Sequence, residues 1–173
     1  MSLLVVVGLG ANLGDRLRTM RAAVAELGRV APVVRTSRVY ATAPVGPPQP
    51  AFLNAAALVT YAGAPDQLLD AALDIEARLG RVRRDKWGPR VIDLDLLWAA
   101  EQPASGRDLS PADARPTAVV VDTTRLALPH PRLPERAFAL APMLELVPDA
   151  VDPRSGRRYV VPAGHVRVTA DVL

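Results

Sequence analysis

An α+β fold is what this sequence predicts, and three features of its patterning predict it. Short apolar runs alternate with segments whose apolar residues recur at helical spacing. Glycines and prolines punctuate nearly every junction. The resulting order is strand, helix, strand, strand, helix, strand, with no internal repeat, which is the β-α-β-β-α-β order of a ferredoxin-like sandwich followed by C-terminal additions. The 173 residues read as one domain, 1–173. A chain of that size buries roughly 68–70% of its unfolded surface, enough for a proper core.

Leu3–Val7 is a short apolar run ending at a glycine and reads as a buried strand. The glycines that follow, Gly8, Gly10 and Gly14, do not make a dinucleotide fingerprint, because Leu13 stands where the third glycine is needed. A tight turn into a helix capped by Asp15 is expected instead. Leu17, Met20, Val24 and Leu27 have helical spacing, and Gly28 is placed to end that helix. Pro32–Tyr40 reads as a partly exposed strand. Ala41–Pro50 holds four prolines and reads as a stiff loop, a good wall or lid for a ligand. Phe52–Tyr61 follows as a strand with Asn54, Ala56, Leu58 and Thr60 on one face. An amide there needs partners.

Pro65 opens a second amphipathic helix through Leu68, Leu69, Ala72, Ile75 and Leu79, with Gly80 after it and Glu76 beside its apolar stripe. A charged loop, Arg81–Lys86, leads into the next strand. Beyond Trp98, residues 99–117 are polar and rich in proline, serine and alanine, and read as a surface-loop insertion. Ala118–Asp122 is a candidate edge strand. Pro134–Leu140 should be a short helix, with Pro142 opening a turn over Met143–Leu146. The tail, Pro148–Leu173, reads as partly strand around Val160–Gly164 and carries no recognisable chemistry.

The totals exclude several classes. There are no cysteines, so disulfides and thiolate metal sites are out. No run reaches the roughly 18 apolar residues of a membrane span, and the N-terminal apolar run lacks a basic flank and a cleavage site. A soluble cytoplasmic protein with no membrane partner is expected. The net charge is +3, and of 21 basic residues only Lys86 is lysine, a bias that carries little weight for nucleic acid but supplies guanidinium groups suited to phosphate.

The chemistry concentrates in Trp87–Leu97, WGPRVIDLDLL. Gly88-Pro89 makes a rigid turn, Arg90 follows, and Asp93 and Asp95 sit two apart inside an apolar run. On a strand those two carboxylates point to one side, and Ile92, Leu94 and Leu96 to the other. Paired carboxylates on one strand repel each other and are costly to bury. A hard divalent cation such as Mg²⁺, which takes one or two carboxylates and completes its shell with water and phosphate oxygens, relieves both problems. A solvated sheet face is the plainer reading of a bare D-x-D; Arg90 and Trp87 beside it favour a nucleotide-phosphate site.

The same stretch resembles the signature of the 6-hydroxymethyl-7,8-dihydropterin pyrophosphokinases of folate biosynthesis. So do the G-x-N-x-G turn at Gly10–Gly14, the F-L-N element at Phe52–Asn54, R-L-x-x-P-H at Arg125–His130 and R-x-F at Arg136–Phe138. The resemblance runs from Leu3 to about Asp149. It implies transfer of a pyrophosphoryl group from ATP, the co-substrate, to the pterin hydroxymethyl group with release of AMP, helped by two Mg²⁺ ions on Asp93 and Asp95. It implies catalytic roles for Arg81, Arg83 and Arg90. It places Glu76, Arg83, Trp87, Arg90, Leu96, Arg125, His130 and Arg136 on the ATP side, and Thr42, Pro44, Val45, Phe52, Asn54, Asp95 and Phe138 on the pterin side. A monomer acting on small molecules, with no nucleic-acid partner, is expected.

Some positions depart from the family pattern. Leu73 stands where a glutamine is common, Ala127 where a small hydroxyl residue is, and Phe52 where tyrosine is frequent; the loop between Arg83 and Trp87 is one residue short of some members. Two other classes stay open at this point. A basic RNA-binding module of the same topology would display aromatics on its sheet, yet aromatics are only 4% of this chain. A related Mg²⁺-dependent phosphotransferase would keep the aspartates and arginines but lack the pterin pocket.

Overall fold

A computed structural model describes residues 2–44, 48–81, 89–102 and 117–173. Within them the chain is a mixed fold of α-helices on an antiparallel sheet. The elements are β1 (Leu3–Ala11), α1 (Arg16–Val30), β2 (Val33–Thr36), β3 (Tyr40–Thr42), β4 (Phe52–Tyr61), α2 (Pro65–Arg78) and β5 (Asp93–Glu101). They are followed by β6 (Val121–Asp122), β7 (Ala127–Leu128), a 3-10 turn at Leu133–Glu135, α3 (Ala137–Leu146) and β8 (Val166–Val168). The main sheet runs β5-β1-β4-β3-β8, with β2 beside β4, and β6 and β7 form a separate hairpin.

Antiparallel pairing on both sides makes β1 the spine: Leu3 to Ala11 pair with Tyr61 to Leu53 on β4, and Leu3 to Gly10 pair with Glu101 to Asp93 on β5. Period-2 alternation sends its side chains to two cores. Val5, Val7, Leu9 and Ala11 pack with Met20, Leu27, Leu68 and Ile75 under α1 and α2. Leu4 and Val6 pack with Leu58, Trp98, Leu140 and Met143 under α3. The α3 face of β1 then loses its side chains at Gly8 and Gly10, so that this core fills only one end of that face. Burying a leucine-sized side chain is worth about 1.5–3 kcal/mol, and the two layers of such residues hold the sheet between the helices.

Several boundaries differ from expectation. β1 continues through its glycines to Ala11, because ladders on both flanks outweigh their poor strand propensity; the turn comes at Gly14, with φ +61°. Asp15 caps α1 as expected, accepting from the Arg18 N–H at 3.1 Å. Gly28 does not end that helix. It continues to Val30 and closes on buried Ala31, whose N–H donates to the Leu27 carbonyl at 2.8 Å. The strand expected over Pro32–Tyr40 breaks at Ser37, where the hydroxyl accepts from the Ala56 N–H at 2.9 Å and replaces a ladder partner.

β4 and the start of α2 fall where the sequence put them. β5 reaches Glu101, so the insertion expected over 99–117 starts later: Ala99 and Ala100 are fully buried, and Ala100 bridges Ala118. Residues 103–116 lie outside the described residues. Pro142 does not open a turn but lies inside α3. The break costs roughly 3 kcal/mol, which burial of Leu140, Met143 and Leu146 around it offsets. The strand in the tail is Val166–Val168 rather than the expected Val160–Gly164.

Ile75 is fully buried between α2 and the sheet. Ile75→Ala should destabilise the protein by about 2–5 kcal/mol, read as a lower denaturant midpoint at unchanged slope. A midpoint within error of wild type would mean that α2 is not part of the cooperative core.

Candidate active site

The side-chain-free end of the α3 face opens into a cavity of about 240 Å³. Its floor is Gly8 and Gly10 of β1. On one side stand Asp93 and Asp95 of β5 with Arg90; on the other, Phe52 and Asn54 of β4, Thr42 of β3 and Gln49. His130, Arg136 and Phe138 close the α3 side. Register explains the layout. Asp93, Gly10 and Asn54 lie in one cross-strand row, and Asp95, Gly8 and Ala56 in the next. Two strand spacings separate Asp93 from Asn54, about 10 Å, with no side chain between them. A methyl group on Gly10 would come 3.3 Å from the Asn54 Oδ1.

The aspartates point into this cavity, and Ile92, Leu94 and Leu96 away from it into the helix-side core, as alternation requires. Leu97, in phase with the aspartates, lines the cavity too, and a bulge opposite Val6 and Val7 then resets the phase so that Trp98 joins it on the α3 face. Leu96, expected on the ATP side, is 3% exposed in the core beneath.

Positive charge converges on the carboxylates. Asp93 is ion-paired to both Arg81 and Arg90. The Arg136 guanidinium stands 3.7 Å from Asp95 and 5.8 Å from the Phe138 ring centre. Packing around Asp95, and then the charge on Asp93, push its carboxyl up to about 6 against the pull of the arginines. Arg136 is lowered, chiefly by burial.

His130 is held at about 4, by burial first and the Arg136 charge second, so it is neutral at physiological pH. The Arg132 N–H donates to its Nδ1 at 3.1 Å, which leaves the ring proton on Nε2, 3.5 Å from the Arg136 guanidinium. Two donors therefore face the same space, an arrangement that an anionic oxygen suits.

Glu76 and Arg81 sit behind the aspartates rather than in the cavity. Glu76 is 2% exposed, accepts from the Leu94 N–H at 2.7 Å and pairs with Arg81; burial raises its pKa. On the far wall the Asn54 amide donates to the Thr42 hydroxyl at 2.8 Å. Pro44 is partly buried but does not line the cavity. Arg125, on the turn between β6 and β7, is exposed and paired with Asp70. Val45, Arg83 and Trp87 lie outside the described residues.

Asn12 and Gln49 carry structure that the sequence did not announce. Asn12 is 1% exposed; its amide donates to Gln49 Oε1 at 2.9 Å and to the Pro50 carbonyl at 3.1 Å, and its Oδ1 accepts from the Arg90 N–H at 2.7 Å. One side chain thus ties the proline loop to the arginine segment.

The donor set fits a hard cation. Two carboxylates enter one hollow from alternate positions of a rigid strand, leaving the rest of a coordination shell to water and phosphate. Among the described residues no helix is long and apolar enough to cross a membrane.

Residues 6–148 match the family model of 7,8-dihydro-6-hydroxymethylpterin-pyrophosphokinase. The chain is 38% identical over 167 residues to a 2-amino-4-hydroxy-6-hydroxymethyldihydropteridine pyrophosphokinase of Synechocystis sp., covering 95% of this chain and 77% of that protein. It is 42% identical over 148 residues to the enzyme of that name from Methylorubrum extorquens, covering 84% and 83%. A third, from Bacillus subtilis, is 38% identical over 149 residues, covering 84% and 79%. A matched region that spans the cavity, the D-x-D strand and the wall opposite it makes this chain a member of the 7,8-dihydro-6-hydroxymethylpterin-pyrophosphokinase family.

Proposed function

We propose that the cavity over Gly8 and Gly10 is where the chain performs its family's reaction, with the phosphates of ATP at the β5 side and the pterin at the β4–β3 side. The protein is an ATP-dependent pyrophosphokinase of folate biosynthesis: the hydroxymethyl oxygen of 6-hydroxymethyl-7,8-dihydropterin bonds to the β-phosphorus of ATP, the bond from that phosphorus to the α–β bridging oxygen breaks, and AMP leaves. The observation that carries the site assignment is the cross-strand row Asp93–Gly10–Asn54, which sets carboxylates and an amide on opposite sides of one bare floor.

The division of labour follows from the side chains. Asp93 and Asp95 would hold Mg²⁺, two ions in our reading, and the bound metal neutralises charge on the phosphate oxygens. Arg90 and Arg136, with the neutral His130 donating from Nε2, meet the remaining oxygens. Arg81, gripped by Glu76 and Asp93, is held ready beside them. We assign Arg83 and Trp87 to the same side on the family motif alone, as we do Glu76, Leu96 and Arg125, which do not line the cavity. Phe138 and Phe52 offer flat apolar faces to the pterin ring, and Asn54, fixed by Thr42, offers an amide to its polar edge. Pro44 and Val45 are assigned to the pterin on the family motif alone. Positioning and electrostatics carry the step, with no strong general base required.

The sheet order β5-β1-β4-β3 supports the ferredoxin-like assignment, with β2 and β3 as one interrupted strand and β8 as a C-terminal addition. We read 1–173 as one domain, and a cytoplasmic monomer as the simplest setting for an enzyme whose two substrates are small soluble molecules.

Asp95→Ala should lower kcat by about 10³-fold or more with an unchanged circular dichroism spectrum. Near-wild-type turnover would refute the role of the carboxylate pair. Asn54→Ala should raise KM for the pterin about tenfold or more while KM for ATP stays put; an effect on ATP alone would reverse the assignment of the two sides.

A further inference from the structure

The matched family region stops at residue 148, but the fold continues. Val151 bridges Arg158, and Tyr159 is buried in the core under α3. β8 then lies along the outer edge of β3, pairing Val166 with Thr42, Arg167 with Ala41 and Val168 with Tyr40. The Thr169 N–H donates to the Val39 carbonyl at 2.8 Å. Further on, Arg21 of α1 donates twice to the Val172 carbonyl, at 2.9 and 3.1 Å, and Leu173 packs against the helix-side core. The segment is thus held at both ends.

Its points of attachment are specific. β3 is three residues long and carries Thr42, which fixes the Asn54 amide. On its other side the tail meets the start of α3: a methyl group on Gly164 would come 3.2 Å from the Ala137 Cβ, one residue before Phe138. Residues 164–169 therefore touch the strand that carries Thr42 and the helix start that carries Phe138, two walls of the same half of the cavity. Asp93 and Asp95 stand on β5, at the opposite edge, with β1 and β4 between.

We propose that residues 164–169 are a positioning brace for the acceptor half of the site, setting the register of β3 and the start of α3 without touching either substrate. The proposal rests on the assignment of Thr42, Asn54 and Phe138 to the pterin. A three-residue strand hydrogen-bonded along one edge only is marginal; bonded along both, it holds Thr42 where Asn54 needs it. Loosening the brace weakens the acceptor wall and leaves the phosphate wall alone.

Thr169→Pro removes the N–H that reaches Val39 and keeps the chain at full length. Thr169→Ala keeps that N–H and is the control, and Gly164→Val presses on Ala137 from the other side. In steady-state assays Thr169→Pro and Gly164→Val should raise KM for the pterin about tenfold, with KM for ATP and kcat within about twofold of wild type; Thr169→Ala should match wild type. A parallel rise in both KM values, or no change in either, overturns the brace. Asn54→Ala separates this from the reading beneath it. If Asn54→Ala leaves KM for the pterin unchanged, the pocket assignment fails; if it raises KM while Thr169→Pro does not, the brace alone fails.

Discussion

Two carboxylates held on the same face of one strand are the constraint around which this molecule is arranged. Neighbours two apart on a strand are about 7 Å from each other, and at an effective dielectric near 20 two unit charges at that distance repel by roughly 2 kcal/mol. The response is visible in the surroundings. Arg81 and Arg90 pair with Asp93, and Arg136 approaches Asp95. Glu76 anchors the arrangement from below, binding both Arg81 and the Leu94 N–H within the strand itself. Three guanidinium groups thus offset the paired carboxylates within one hollow.

The sheet makes room for this by dividing one of its faces. Toward one end Leu4, Val6, Leu58, Leu97 and Trp98 pack under α3. Toward the other, Gly8 and Gly10 leave the floor bare, and the polar ends of β4 and β5 face each other across it. The same three strands thus supply a rigid core and, in continuous register with it, the two walls of the cavity. Two walls of the cavity therefore hang on backbone ladders, and Asn12 joins the loop segments to that frame.

How much of this the sequence disclosed depended on how local the cause was. β4 and α2 were legible because their periodic patterns run unbroken between strong punctuation. The aspartates were legible because period-2 alternation needs no tertiary information. What escaped was set by partners far along the chain. The bulge that brings Trp98 to the same face as Leu97 arises in the ladder with β1. Pro142 stays helical because a core surrounds it. The break at Ser37 depends on Ala56, and Asn12 reaches residues 37 and 78 positions away. Motif matching named Glu76 and Arg125 beside Arg90 and Arg136; that Glu76 stands behind the strand and Arg125 on an exposed hairpin paired with Asp70 is given only by the fold. A motif preserves the order of residues but not their depth.

The most direct test of the account is AMP release by the purified protein given ATP, Mg²⁺ and 6-hydroxymethyl-7,8-dihydropterin, with each of the three omitted in turn. The account predicts AMP only in the complete mixture, in equal amount to the pterin pyrophosphate. ADP in place of AMP would contradict attack at the β-phosphorus. Folded protein that binds ATP but releases no AMP with this pterin would contradict the assignment of the cavity beside Asn54.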